Sequence, residues 1–243
     1  MEVILQNKHT FREILKDYKP SPESIAFLND MDLVILQGVT AAGRNTIINE
    51  LVKRGTYKYV VSDTTRPPKL RDGIMEQDGV QYYFRSEEAM LADLQAGKFL
   101  EAELIHEQQV SGISIRELEN AKASGKIPIN EVDVIGPVNI RKAKPDTCFI
   151  FVLPPSFEEW QRRWMAREEI TEQEIDNRMR TAERALEAAL AADYFSFVIN
   201  DEVTAAADKI DQIVQGIDSV EDEQKARAIA EDLLEKVRKY LAR

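Results

Sequence analysis

The chain has 243 residues, a hydrophobic share of 44% and a formal charge of −11. That length and apolar content suffice for a sizeable buried core, whereas the acidic balance argues against a general coat for polymeric nucleic acid or anionic membrane, which needs an excess of positive surface. Lone Cys148 and two widely separated histidines give neither an internal disulfide nor a metal-ligand spacing. No apolar run approaches the roughly 20 residues of a membrane span, and the amino terminus carries no export pattern, so a soluble cytoplasmic protein is expected.

In chain order, Thr10 with Glu13 matches a capping box for a short helix, and the Pro20/Pro22 stretch separates it from a second short helix ending near Asn29. Residues 1–31 read as a helical N-terminal extension. Leu33–Gly38 is an apolar run that reaches a glycine, and the amphipathic Asn45–Gly55 follows it, as in a buried strand feeding a helix. Strand character recurs at 57–62, 80–84, 127–134, 147–153 and 195–200, with helical segments near 86–96, 114–124, 156–167, 171–192 and 202–215 between them. Ser114 with Glu117, Ser156 with Glu159 and Thr171 with Glu174 match capping boxes at three of these helix starts. The alternation predicts an α/β fold, a sheet covered by helices. Over 217–243, Ala226, Ile229, Ala230, Leu233, Leu234, Val237 and Leu241 recur at helical spacing, so this amphipathic helix should pack against its own domain, a partner or a second copy.

The stretch Gly38-Val-Thr-Ala-Ala-Gly43-Arg44-Asn45 fits G-x-x-x-x-G in a strand-to-helix context, where backbone amides turn toward phosphate and the helix amino end favours negative charge. The usual next pair is lysine, which follows the terminal phosphates, and a serine or threonine hydroxyl for magnesium. Arg44 keeps the charge on a larger, planar group, Asn45 offers a carbonyl to magnesium or one of its waters, and Thr46 points elsewhere on the helix. Removal of one transition-state donor commonly costs roughly 100- to 1,000-fold in rate, so impaired turnover with binding intact is a reading the loop allows. Downstream, Ser62, Arg66, Lys69 and Arg71 crowd ahead of a tyrosine-rich segment containing Tyr82, a grouping suited either to clamping a small phosphate or to a solvated basic turn.

These motifs, with "SDTTRPPK", "DGVQYYF", "GKFLEAE", "NEVDVIG", an arginine-rich segment around 163–178 and "FVINDE", occur in one order. In that order the chain resembles the guanylate kinase family, P-loop enzymes that move a phosphoryl group from ATP to GMP. The resemblance spans about 31–216 and implies a P-loop kinase fold with a central, mostly parallel sheet, an acceptor subdomain at about 63–115 and a helical lid at about 160–180. It implies that Ser62, Arg66 and Tyr82 bind the GMP phosphate, with Lys69 replacing the family's second arginine, and that Glu101 accepts hydrogen bonds from guanine. Glu131 and Asp133 match the two acids of the family's central strand, Asp133 on the acceptor side. Arg163, Arg167 and Arg178 match lid arginines, and Asn200 an adenine-side contact. Gly38, Thr40, Ala41, Gly43, Arg44, Asn45 and Thr46 would hold ATP, with Mg2+ at Asn45. Where the family has tyrosine, glycine and a hydroxyl residue, this chain reads "QQVSGIS", which leaves the base contact between Ser111 and Ser114. The ligands expected are GMP or dGMP and ATP, on a monomer or homodimer. Scaffold proteins resembling this family bind phosphorylated peptides through the acceptor pocket, so a non-catalytic binding module is the alternative.

Overall fold

The computed structural model describes residues 5–71, 73–165, 171–217 and 219–243. Its elements are α1 (Lys8–Lys16), α2 (Pro22–Leu28), β1 (Val34–Gly38), α3 (Arg44–Lys53), β2 (Tyr57–Tyr59), β3 (Asp63–Thr64), β4 (Leu70–Arg71), β5 (Ile74–Met75) and β6 (Tyr83–Phe84). There follow α4 (Glu87–Gln95), β7 (Phe99–Ile105), β8 (Gln109–Ser114), α5 (Ile115–Ala123), β9 (Ile127–Glu131), α6 (Gly136–Ala143) and β10 (Cys148–Leu153). The chain closes with α7 (Phe157–Met165), α8 (Glu172–Ala191), β11 (Phe195–Ile199), α9 (Val203–Val214) and α10 (Val220–Leu241). Two compact units result. The first comprises the chain up to Leu33, Lys58–Pro128 and Val138–Thr147; the second comprises Val34–Tyr57, Ile129–Pro137 and Cys148–Arg243. No helix among the described residues is long and apolar enough to cross a membrane.

The expected capping boxes fare differently. Thr171 and Glu174 form the complete reciprocal pair, and the Ser156 hydroxyl accepts the Glu159 amide at 3.1 Å. Ser114 precedes α5 without a side-chain cap. Thr10 lies inside α1, which starts earlier because Glu87 accepts both the backbone and the side-chain N–H of Asn7 at 2.7 and 3.1 Å. A tertiary contact thus overrides the local signal.

The five-stranded sheet has the order β11-β10-β1-β9-β2, and β1, in the second unit, runs parallel to both neighbours. A strand flanked on both sides buries consecutive side chains, which is why Val34, Ile35, Leu36 and even Gln37 are all buried. Phe149, Phe151 and Phe195 meet edge to face across β10 and β11, with centroids 5.8 Å apart. α10 packs on α8 and β11 and buries Ala226, Ala230, Leu233 and Val237. Glu223 on α10 accepts the Phe197 amide of the end strand at 2.9 Å. The apolar stripe of the tail therefore covers its own unit, one of the outcomes its spacing allowed.

In the first unit the sheet order is β6-β3-β8-β7. The β7–β8 hairpin is absent from the strands expected from sequence. Its turn passes through His106 and Glu107, both at positive φ (49° and 60°), without the Asn-Gly or Gly pair that usually marks such turns. Phe11, Met90, Leu94, Phe99 and Val110 form the core on this hairpin. The Tyr18 hydroxyl donates to the Phe99 carbonyl and accepts the Phe99 amide, each at 2.9 Å, and burial pushes its pKa up to about 12. The helical preface is thus part of this unit's core. The apolar run at 57–62 is shared out: Tyr57–Tyr59 joins the five-stranded sheet and the chain re-enters a sheet, the four-stranded one, at Asp63.

Candidate active site

Gly38–Gly43 joins β1 to α3 in the second unit. A methyl on Gly38 would lie 2.4 Å from the Val152 carbonyl oxygen; one on Gly43, at φ +95°, would lie 2.2 Å from Nδ2 of Asn200. Both positions demand glycine. Two side chains hold the turn from beneath. Trp160 donates Nε1–H to the Thr40 carbonyl at 2.6 Å, and Asn200, 3% exposed, donates Nδ2–H to the Ala42 carbonyl at 2.7 Å. With those carbonyls tied back, α3 begins after Gly43 without a side-chain cap, and the first amides of a helix, here those of Arg44, Asn45 and Thr46, have no intrahelical acceptor. Such a turn has the geometry that favours an anion. Asn200, expected beside adenine, supports the loop through its bond to the Ala42 carbonyl.

Arg44 is folded back on the sheet. Its Nε lies 3.2 Å from Oε2 of Glu131 and its Nη1 donates to the Val132 carbonyl at 3.4 Å. The Asn45 amide lies against the same carboxylate, and with its nitrogen turned toward the acid it would donate to both oxygens, at 2.8 and 2.5 Å. Glu131 is the last residue of β9 and lies in register with Leu36 of β1, so strand pairing delivers it to the loop. In the orientation that gives those two bonds Asn45 turns its nitrogen to the carboxylate, so a magnesium ion held by the Asn45 carbonyl would require the amide to turn over. Asp133 is exposed, and its carbonyl accepts from Gln37 at 3.3 Å. A cavity of about 40 Å³ beside the loop is lined by Gly38, Thr40, Arg44, Asp133 and Thr181, among others.

Of the arginines expected in a lid, Arg163 donates to the Asn200 carbonyl and to Glu159, both at 2.8 Å. Hydrogen bonds from Arg162 and Arg163 hold the Glu159 pKa down at about 2. Arg178 is half-buried on α8 and makes no ion pair among the described residues. Arg167 lies outside the described residues.

In the first unit, Asp63 of β3 is fully buried and meets Arg85 at 2.5 Å and Arg116 at 2.8 Å; burial pushes its carboxyl up while Arg116 and Arg85 oppose that shift. This anchors the strand from which Arg66 emerges. The Arg66 guanidinium grips Glu76 with both ends, at 2.5 and 2.9 Å, and lies 4.7 Å from the Tyr82 ring centroid. Burial works against its charge, yet Glu76 and Tyr82 outweigh it and the pKa ends above its ordinary value. The Lys69 backbone brackets Glu76, donating to its carboxylate at 2.9 Å and accepting its amide at 3.0 Å, while the Lys69 side chain stays exposed. Ser62 is half-buried, and its carbonyl accepts the Tyr83 amide at 3.0 Å. Glu101, 7% exposed, stands opposite Ile113 in the hairpin and lines a cavity of about 240 Å³ with Leu15, Tyr18, Ile25, Asn139 and Lys142, among others.

The family model for guanylate kinase matches residues 30–217. The chain belongs to the guanylate kinase family. It is 36% identical over 186 residues to a guanylate kinase of Listeria innocua, covering 75% of this chain and 87% of that one. To a guanylate kinase of Halalkalibacterium halodurans it is 38% identical over 184 residues, covering 75% and 86%. Guanylate kinase 1 of Arabidopsis thaliana is 33% identical over 190 residues, which cover 77% of this chain and 48% of the plant protein; the chain spans about half the length of the plant relatives it matches. A crystal structure of guanylate kinase from Anaplasma phagocytophilum superposes with a TM-score of 0.55 at 23% identity, over 76% of this chain and 86% of that one, a likeness of fold.

Within this guanylate kinase domain, two residues that position the site escape the sequence reading. Glu76 is ten residues from Arg66, and only the β4–β5 pairing, Leu70 with Met75, folds it back onto the arginine. Trp160 reads as a core residue, although a large apolar body with one N–H handle is a signal for a buried acceptor such as the Thr40 carbonyl. Of the two serines left open for the base, Ser111 donates to Thr64 Oγ1 at 2.8 Å, and the Ser114 hydroxyl is buried without a hydrogen-bond partner among the described residues.

Proposed function

We propose that the chain is a guanylate kinase-like phosphotransferase converting ATP and GMP, or dGMP, to ADP and the nucleoside diphosphate. An oxygen of the acceptor phosphate attacks the terminal phosphorus of ATP in line, the bond from that phosphorus to its bridging oxygen breaks, and ADP leaves with the electron pair. The observation that supports this reading is the Gly38–Gly43 turn, whose Thr40 and Ala42 carbonyls are tied back by Trp160 and Asn200 ahead of an uncapped helix start, although Arg44 and Asn45 follow. Gly38, Thr40, Ala41, Gly43 and Thr46 belong to that cradle.

In this reading Arg44, Arg163, Arg167 and Arg178 stabilise charge on the transferred group. Ser62, Arg66, Lys69 and Tyr82 orient the acceptor phosphate, Glu101 accepts from guanine N1 and its amino group, and Asp133 meets an acceptor hydroxyl. Magnesium, when bound, neutralises charge between the terminal phosphates. A coupled assay of ADP release with GMP, dGMP, AMP and UMP tests the proposal: turnover with the guanine acceptors alone is expected. No turnover with any acceptor, together with GMP binding in the absence of ATP binding, would establish the non-catalytic module instead.

A further inference from the structure

We infer that Glu131 is an electrostatic latch on the phosphate loop: its carboxylate, shared between Arg44 and Asn45, competes with polyphosphate for the arginine and sets the loop's affinity. Glu131 closes β9 and Arg44 opens α3, so the backbone of two regular elements holds the pair in place. The guanidinium lies 3.2 Å from the carboxylate, and both side chains are partly exposed, at 19% and 24%. A guanidinium fork suits a carboxylate and a phosphate equally well, and a pair open to water at this level is screened and exchangeable. Asn45, the helix residue after Arg44, would donate to both carboxylate oxygens with its amide nitrogen turned toward the acid, which would keep the acid oriented when the arginine swings to phosphate. The latch also accounts for Arg44 and Asn45 as a pair. Both lie against one acid, Arg44 at Oε2.

The inference rests on reading Gly38–Gly43 as the donor phosphate site, and the experiment separates the two. Calorimetry with inorganic tripolyphosphate, without divalent cation, is run on the full chain and on Glu131→Gln, Arg44→Met and the double variant. Glu131→Gln is expected to bind about two- to fivefold more tightly than the parent, the scale of one freed surface pair, and the same substitution in the Arg44→Met background is expected to change nothing. Equal or weaker binding by Glu131→Gln, beside a parent that binds, overturns the latch and leaves the loop reading standing. An equal gain in the Arg44→Met background also overturns it, because the acid would then repel phosphate directly. A parent that does not bind beside a variant that does supports the latch, whereas binding by neither removes the latch and the loop reading together. Glu131→Asp, which withdraws the carboxylate by one methylene, should shift affinity in the same direction and covers the case in which the glutamine variant fails to fold.

Discussion

Arg66 in the first unit and Arg44 in the second are both arginines that the sequence aims at phosphate, and each already holds a carboxylate. They differ in what surrounds the pair. Arg66 and Glu76 are 6% and 3% exposed, joined by two hydrogen bonds, with an aromatic ring 4.7 Å from the guanidinium carbon. Arg44 and Glu131 are 19% and 24% exposed and meet through one nitrogen. The first pair has given up its hydration and cannot open cheaply; the second keeps part of its water and can. In the proposed reading, a phosphate at Arg66 would meet a guanidinium whose orientation is fixed beforehand by Glu76, while a phosphate at Arg44 would have to replace the partner.

The contrast breaks most easily through stability. Glu76→Gln leaves a buried guanidinium without its counter-charge and is expected to destabilise the protein by about 3–5 kcal/mol. Glu131→Gln, at the half-exposed pair, is expected to stay within about 1 kcal/mol of the parent. Urea denaturation of both variants checks this, and equal losses would erase the distinction between the two arginines. Raising the salt from low to molar concentration sharpens it, since the Arg44 pair is the one open to screening.

A second test concerns what holds the loop if its charges are exchangeable. Asn200→Ala leaves the Ala42 carbonyl without its donor and is expected to cost about 1–3 kcal/mol, with ATP affinity falling in calorimetry. Trp160→Phe removes the N–H to the Thr40 carbonyl while keeping an aromatic body, and about 1 kcal/mol is expected. Both losses should be insensitive to salt because both groups are neutral. Salt-dependent losses would mean that the cradle leans on Arg44 after all. On the acceptor side, Tyr82→Leu removes the ring beside Arg66 and is expected to cost about 0.5–2 kcal/mol, read as a lower melting temperature and weaker GMP binding.

What the sequence disclosed follows how local each signal was. The β1 run, the glycines of the loop and the Thr171 capping box are written in consecutive residues, and each has its structural counterpart. The cation-bearing turn around Arg66 was equally legible. Its counter-ion was not, because Glu76 reaches Arg66 only through the pairing of β4 with β5. The same holds for Glu131, which meets Arg44 only because β9 lies beside β1. The β7–β8 hairpin was missed because its Glu- and Ala-bearing strand has weak strand propensity and its turn takes positive φ without glycine. The role of residues 5–33 was illegible for a related reason: Tyr18 and Phe11 are unremarkable along the chain, and their partners, Phe99 and Met90, lie some eighty residues away.

The smallest effect is expected where the comparison is weakest, at Lys69. Its side chain is exposed and makes no ion pair among the described residues, while its backbone is fixed by Glu76 on both sides. The charge is thus well placed at its root and free at its tip. Lys69→Arg supplies a planar fork in place of a point charge, but nothing packs around that fork as Tyr82 packs beside Arg66, so most of the gain in hydrogen bonding is offset by ordering a long exposed side chain. GMP affinity should therefore rise by only about two- to fivefold, the range of a single exposed charge contact, with no change in melting temperature. Calorimetric titration with GMP at two salt concentrations decides it: a gain well above tenfold would show that Lys69 becomes enclosed when the acceptor binds, and would place it beside Arg66 in kind.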